Sequence, residues 1–251
     1  MNIAIITGAS SGMGVEFFKA MQNEPLDEVW VIARREKNLI DICAKYGKIG
    51  HKILCMDVTI EENIKKLEET LKNENPTVKY LINNAGFGVF GKVADIDVKK
   101  QSSMIDVNVR ALTEISSIVL KYMDKGSRII NISSIASFIP NANLAAYSAT
   151  KVYVLSFSRA LRQELKPRKI NVTAVCPGPM ATEFLDVAGI EEGTSRMFDI
   201  LPYCSPEKTA KKAIKASKKG KAIYTPRLFY KSCRILGKVA PHSFLMQCFK
   251  A

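Results

Sequence analysis

Tyr147 and Lys151 place a phenol and an ammonium four residues apart, and on a helix side chains at that spacing share a face. A carbonyl that accepts a hydride develops oxyanion character, so it needs a proton source and hydrogen-bond donors at that oxygen. Tyr147 can supply the proton. A free phenol titrates at about 10, and an ammonium one helical turn away favours the phenolate that the reverse reaction uses as its base. A second stretch, Gly8-Ala9-Ser10-Ser11-Gly12-Met13-Gly14, suits a phosphorylated cofactor. Its glycines permit a tight turn and close backbone approach, and a helix opening there presents unpaired N–H groups to a pyrophosphate. Gly8, Ser10, Ser11, Gly12, Met13 and Gly14 are therefore read as cofactor-facing. The two stretches together point to hydride-transfer chemistry.

These groups need elements to hold them. Apolar runs rich in Ile and Val fall at residues 3–6, 29–33, 53–56, 80–83, 128–132, 171–175 and 222–224, and read as seven strands. Amphipathic stretches at 14–22, 39–46, 61–73, 98–123, 145–165 and 207–218 read as helices between them. Strand and helix alternating in this way imply right-handed crossovers and a parallel sheet covered on both faces: a single α/β domain over residues 1–251, of the Rossmann-type doubly wound class. Thr59-Ile60-Glu61-Glu62 has capping-box spacing, and Ser205-Pro206 offers an N-cap followed by proline at the first helical position. Residues 177–205 fit neither periodicity and follow the sixth strand at the edge where such sheets bind ligands, so they are expected to form a substrate lid.

In order along the chain, the TGASSGMG turn, Asp57-Val58, Asn83-Asn84-Ala85-Gly86, Asn108, Ser133-Ser134, Tyr147 with Lys151, and Pro177-Gly178 resemble the short-chain dehydrogenase/reductase family, from Met1 to about Thr182. The resemblance implies a catalytic set of Asn108, Ser134, Tyr147 and Lys151, in which Ser134 hydrogen-bonds the substrate oxygen and Asn108 holds a water that relays protons to Lys151. It also implies that Asp57 and Val58 lie against the adenine, that Asn84 sits beside the adenosine, and that Met180 and Thr182 flank the nicotinamide end. A homodimer through the long helices containing Asn108 and Tyr147 is implied in the same way. Many tetrameric members end soon after the seventh strand in a glycine-rich tail, whereas here Ile223-Tyr224-Thr225-Pro226 runs into a basic segment, which argues against the familiar tetramer interface.

Cofactor choice is read at the end of the second strand, where NAD sites place an acid for the ribose and NADP sites place arginine for the 2′-phosphate. The strand ends Val31-Ile32-Ala33-Arg34-Arg35, which favours NADP(H), with Arg34 the nearer contact; the Glu36 that follows leaves open a pair of solvated surface arginines. Phe87, Phe90, Phe184, Leu185, Val187, Ile190, Met197, Phe198, Ile200, Leu201 and Tyr203 make the loops around the expected mouth apolar, which suits a steroid- or lipid-like ketone or alcohol.

The net charge of +13 is lopsided: from Glu207 to Ala251 there are twelve Lys/Arg against one acid. Within the extension 227–251, Arg227, Lys231, Arg234 and Lys238 fall on one helix face, while Leu228, Ile235, Leu236 and Val239 are expected to pack on the sheet domain. Membrane contact is then peripheral and weak. No apolar run approaches the ~18 residues of a membrane span, and the start lacks the basic and apolar regions of a signal peptide, which points to the cytoplasm. The six cysteines form no CxxC pair, and His51 and His242 lack metal-ligand spacing, so neither a disulfide framework nor a metal is expected. Nucleic-acid binding lacks any known module. The rival to an enzyme is a non-catalytic NADP(H)-binding or membrane-associated sensor on the same fold, and the filled tetrad argues against it, because a binding module needs no tuned phenol.

Overall fold

The computed structural model describes residues 1–191, 193 and 196–248, apart from the side chains of Arg196, Met197, His242, Phe244 and Cys248. Seven strands form one parallel sheet in the order β3-β2-β1-β4-β5-β6-β7: β1 (Asn2–Thr7), β2 (Glu28–Ala33), β3 (Gly50–Cys55), β4 (Thr77–Asn83), β5 (Arg128–Ile132), β6 (Asn171–Val175) and β7 (Ile223–Tyr224). The chain winds outward from β1 to β3 and returns to β4 on the other side of β1. The crevice between β1 and β4 is thus the switch point at which such sheets hold ligands.

The central strands are buried on both faces, which is why they read as continuous apolar runs. In β1, Ala4 and Ile6 pack with Phe17 and Phe18 of α1 (Gly12–Met21), Leu39 of α2 (Glu36–Tyr46) and Ala213 of α9 (Pro206–Lys218). Ile3 and Ile5 face the opposite layer, where Leu67 of α3 (Glu61–Glu74), Ile115 of α5 (Leu112–Val119) and Leu161 of α6 (Ala145–Glu164) enclose Trp30. A buried amide chain ties that layer to the sheet: Asn83 Nδ2 donates to Ser116 Oγ and to Asn131 Oδ1, and Asn131 Nδ2 donates to Ser158 Oγ.

Several expectations change at the element level. The helix read as continuous over 98–123 is α4 (Val98–Ile105), a π-helical segment (Asp106–Ala111), α5, and a 3₁₀ turn (Leu120–Tyr122). The capping box at Thr59 does not form, because the Thr59 hydroxyl donates to Asp57 Oδ1 at 2.7 Å and the helix begins a residue later, capped by Ile60 with no side-chain bond. Ser205 does cap α9, its oxygen accepting from the Lys208 N–H with Pro206 next in line. The lid is partly helical, with α7 (Glu183–Ala188) and α8 (Arg196–Ile200).

The C-terminal helix α10 (Leu228–Val239) turns a different face inward from the one expected. Tyr230 and Cys233 are buried and Gly237 lies against the Phe138 carbonyl, whereas Leu228, Ile235, Leu236 and Val239 are exposed. The reason is local space. Tyr230 fits against Gly178, where a Cβ would overlap its ring, and its hydroxyl donates to the Pro202 carbonyl at 2.8 Å. A short helix α11 (His242–Cys248) follows and adds Leu245 to the same cluster.

Candidate active site

The glycine turn is locked onto the loop after β4. Gly8 has φ +66°, and a Cβ there would lie 2.7 Å from Ala85 Cα; a Cβ on Gly14 would collide with the Gly8 carbonyl oxygen. Thr7 Oγ1 accepts from the N–H groups of Asn84 and Ala85, and Asn84 Nδ2 donates to the Thr7 and Gly8 carbonyls. The start of α1 is held open: among the described residues Ser11 forms no side-chain cap bond and the Gly12 and Met13 N–H groups have no acceptor. Free N–H groups at a helix N-terminus fit a dinucleotide pyrophosphate.

That turn opens into a cavity of about 600 Å³. Of the residues singled out from the sequence as catalytic or cofactor-binding, all line it except Gly14 and Asn108, which stand behind its wall. At one end are Arg34 and Arg35. The Arg34 guanidinium is 3.7 Å from Asp57, while Arg35 pairs with Glu183 at 2.7 Å and donates to Ser10 Oγ. The Arg35 charge and hydrogen bond hold the Glu183 carboxyl below its usual range. Glu183 carries no motif, and its partner lies 148 residues away in the chain, so no local signal marks this pairing.

At the other end, Ser134 just past β5 and Tyr147 in the first turn of α6 line the cavity together. Ser134 Oγ also accepts the Ala136 N–H, which fixes its position. The helix is anchored to the strand end by Ser133 Oγ, which donates to the Lys151 carbonyl at 2.8 Å. Lys151 lies 5.6 Å from the centroid of the Tyr147 ring and donates to the Ile132 carbonyl at 3.1 Å. Burial pushes the Tyr147 phenol up to about 12, opposed by the Ser134 hydroxyl, and pushes Lys151 down to about 8. The expected preference for phenolate is therefore outweighed in this arrangement by desolvation of the phenol.

Asn108 sits within the π-helical segment, a distortion that recurs at functional sites. Its Nδ2 donates to the Phe87 carbonyl and to Thr150 Oγ1, and its Oδ1 accepts the Phe87 N–H. Both ends of the amide are thus engaged in holding the loop after β4 against α6.

Described residues of the segment 177–205 line the remaining side. Phe184 packs on Tyr147 with ring centroids 5.7 Å apart, Phe90 meets Phe198 edge-on at 6.3 Å, and the Phe90 N–H donates to the Ala188 carbonyl. Phe87, Phe184, Leu185, Val187, Ile190, Phe198 and Leu201 line the cavity; Phe90, Ile200 and Tyr203 do not, and the Met197 side chain lies outside the described residues. Asn141, which the sequence reading passed over, is buried in this apolar wall with its Oδ1 unpaired. No motif marks it; its only signal is a polar residue between Ser134 and Tyr147.

A family profile described as short chain dehydrogenase matches residues 2–192. The chain belongs to the short-chain dehydrogenase/reductase family. An uncharacterised oxidoreductase of Staphylococcus epidermidis is 30% identical over 182 residues, which is 72% of this chain and 78% of the relative. A probable short-chain type dehydrogenase/reductase, VdlC, of Helicobacter pylori is 32% identical over 184 residues, covering 72% of this chain and 66% of that protein. The structure of a short-chain dehydrogenase from Sphingobium yanoikuyae in complex with NADPH superposes with a TM-score of 0.82 at 25% identity, covering 98% of this chain and 96% of the other. This short-chain dehydrogenase thus keeps the family's fold beyond residue 192, through the segment where the family profile no longer matches.

Proposed function

We propose that this short-chain dehydrogenase is an NADP(H)-dependent oxidoreductase that interconverts a carbonyl and a secondary alcohol on a hydrophobic, steroid- or lipid-like substrate. The observation that carries this reading is the convergence of Ser134, Tyr147 and Lys151 on a cavity that the apolar residues of segment 177–205 also line. The NADPH complex of the Sphingobium relative supports the cofactor class. Arg34 and Arg35 supply two positive charges where a 2′-phosphate would lie, beyond the end of β2.

When bound, the reduced nicotinamide supplies the hydride. Ser134 holds the substrate oxygen, and Tyr147 delivers its proton to that oxygen as negative charge develops there. A phenol, which titrates well above neutral pH both at its ordinary value and when burial pushes it up, is loaded as an acid, the state that carbonyl reduction requires. Lys151 then brings positive charge beside the phenolate that remains, and Asn108 is a positioning residue acting through the loop at Phe87. Asn141 Oδ1 offers the one unpaired buried acceptor on the cavity wall among the described residues, a partner for a donor on the substrate. Partner and place are those expected above: a homodimer through the long helical stretches containing Asn108 and Tyr147, in the cytoplasm, with no nucleic acid. Exposed Ile105, Val152 and Tyr153 on those helices support the dimer.

Initial rates with NADPH and with NADH, on bulky aromatic or steroid ketones and on small polar ketones, test this directly. The expected outcome is NADPH-dependent reduction with kcat/KM for the bulky apolar ketone at least about tenfold above that for the small one, since each matched methylene contributes roughly that much. NADPH binding without turnover of any carbonyl would favour the sensor. A preference for NADH would overturn the reading of Arg34 and Arg35.

A further inference from the structure

The helix α10 is apolar on two opposite sides. At about 100° per residue, Tyr230, Cys233 and Gly237 form the side buried against the protein, and Leu228, Ile235 and Val239 form the side opposite. Those three are 80%, 63% and 75% exposed, with Phe229 and Leu236 beside them at 43% each. Single exposed apolar side chains are ordinary, but five on one twelve-residue helix make a patch of the kind that marks an interaction surface.

The flank of the patch is basic. Arg227, Lys231 and Lys238 are exposed along one edge, and among the described residues none of them, nor Arg234, is in an ion pair. From residue 208 to residue 251 the chain holds twelve Lys/Arg and no acid. A surface with this charge is complementary to an anionic, planar partner, and the apolar stripe gives such a partner something to bury. Among the described residues no helix is long and apolar enough to cross a membrane, so α10 would lie on a bilayer and not span it.

We infer that α10 is a docking helix for an anionic lipid surface, with Leu228, Ile235 and Val239 entering the headgroup boundary and Arg227, Lys231 and Lys238 meeting lipid phosphates. The inner side of the same helix touches the lid, through the Tyr230 hydroxyl on the Pro202 carbonyl and through a cluster shared with Leu201 and Cys204. Docking therefore holds the lid one helix diameter, ~10 Å, from the lipid surface. The inference stands on the helix itself and does not depend on the substrate class proposed above.

The test is co-sedimentation of the full chain with phosphatidylcholine vesicles, with and without phosphatidylglycerol, at low and high salt. Two variants accompany it: Leu228→Ser/Ile235→Ser/Val239→Ser, and Lys231→Glu/Lys238→Glu. The wild type should bind the phosphatidylglycerol vesicles, lose binding at high salt, and ignore phosphatidylcholine alone. Each variant should cut the bound fraction by about tenfold or more, while melting temperature and sedimentation coefficient stay at the wild-type values. Absence of binding to phosphatidylglycerol vesicles, or equal binding by the serine variant, overturns the inference. So does a drop in oligomeric state in the serine variant without vesicle binding by the wild type, which would make the stripe a contact between copies of this chain.

Discussion

Tyr147 and Lys151 are both buried, and burial moves their proton affinities in opposite directions, the phenol up to about 12 and the ammonium down to about 8. For Lys151 the sign follows from linkage. Between about 8 and the ordinary lysine value the unfolded chain binds a proton that the folded chain does not, so this group makes stability rise with pH across that window. Thermal melts should therefore show the wild type gaining stability relative to Lys151→Met between about pH 7.5 and about pH 10. A difference that stays constant with pH would mean that the lysine is not held in a desolvated state. The identities of these residues were legible in the sequence because helical spacing alone puts Tyr147 and Lys151 on one face. Their protonation was not, because desolvation depends on Phe184 and the lid, which come from elsewhere in the chain. Asn141 was illegible for a similar reason, since a polar residue in a loop declares nothing until its oxygen is found buried and unpaired.

At the scale of elements, the proposed preference for NADP(H) rests on the turn after β2. Replacing both Arg34 and Arg35 by Asp removes the two proposed phosphate partners and adds repulsion, and charge-assisted hydrogen bonds are worth about 1.5–3 kcal/mol each. Titration by fluorescence should show the NADPH Kd rising at least about tenfold more than the NADH Kd, whereas equal weakening of both would remove the 2′-phosphate role. The strands, the glycine turn and the Ser205 cap were all readable from local chemistry, because apolar runs, glycine and an N-cap serine act within a few residues of themselves. The π-helical segment around Asn108 was not, since an apolar face runs on through α4 and α5 whether or not one turn is wider. The inward face of α10 was also hidden: periodicity gives two apolar sides, and it is Gly178, about fifty residues earlier, that makes room for Tyr230. Gly178→Ala should accordingly lower stability by roughly 1–3 kcal/mol, the usual cost of overpacking, read as a shift in the denaturation midpoint. A midpoint unchanged from wild type would show that α10 can move away freely.

The molecule as a whole brings three distant parts of the chain to one cavity: the turn after β1, the strand end and helix of Ser134 and Tyr147, and the lid between β6 and α9. Its outer helices present Ile105, Val152 and Tyr153, so the proposed dimer predicts that Val152→Arg, which puts a charge into that surface, sediments as a monomer where the wild type sediments as a dimer. If both sediment alike, that face is not the contact. In the proposed mechanism the Tyr147 hydroxyl is the proton donor, so one oxygen atom decides it. In Tyr147→Phe the ring, its packing on Phe184 and the cofactor cradle all remain. Single-turnover reduction of a ketone by NADPH, measured with NADPH affinity on the same preparation, should show wild-type affinity with the hydride-transfer rate reduced by about 10²–10⁴-fold, the usual contribution of a positioned acid. Wild-type affinity together with an unchanged hydride-transfer rate would contradict the account.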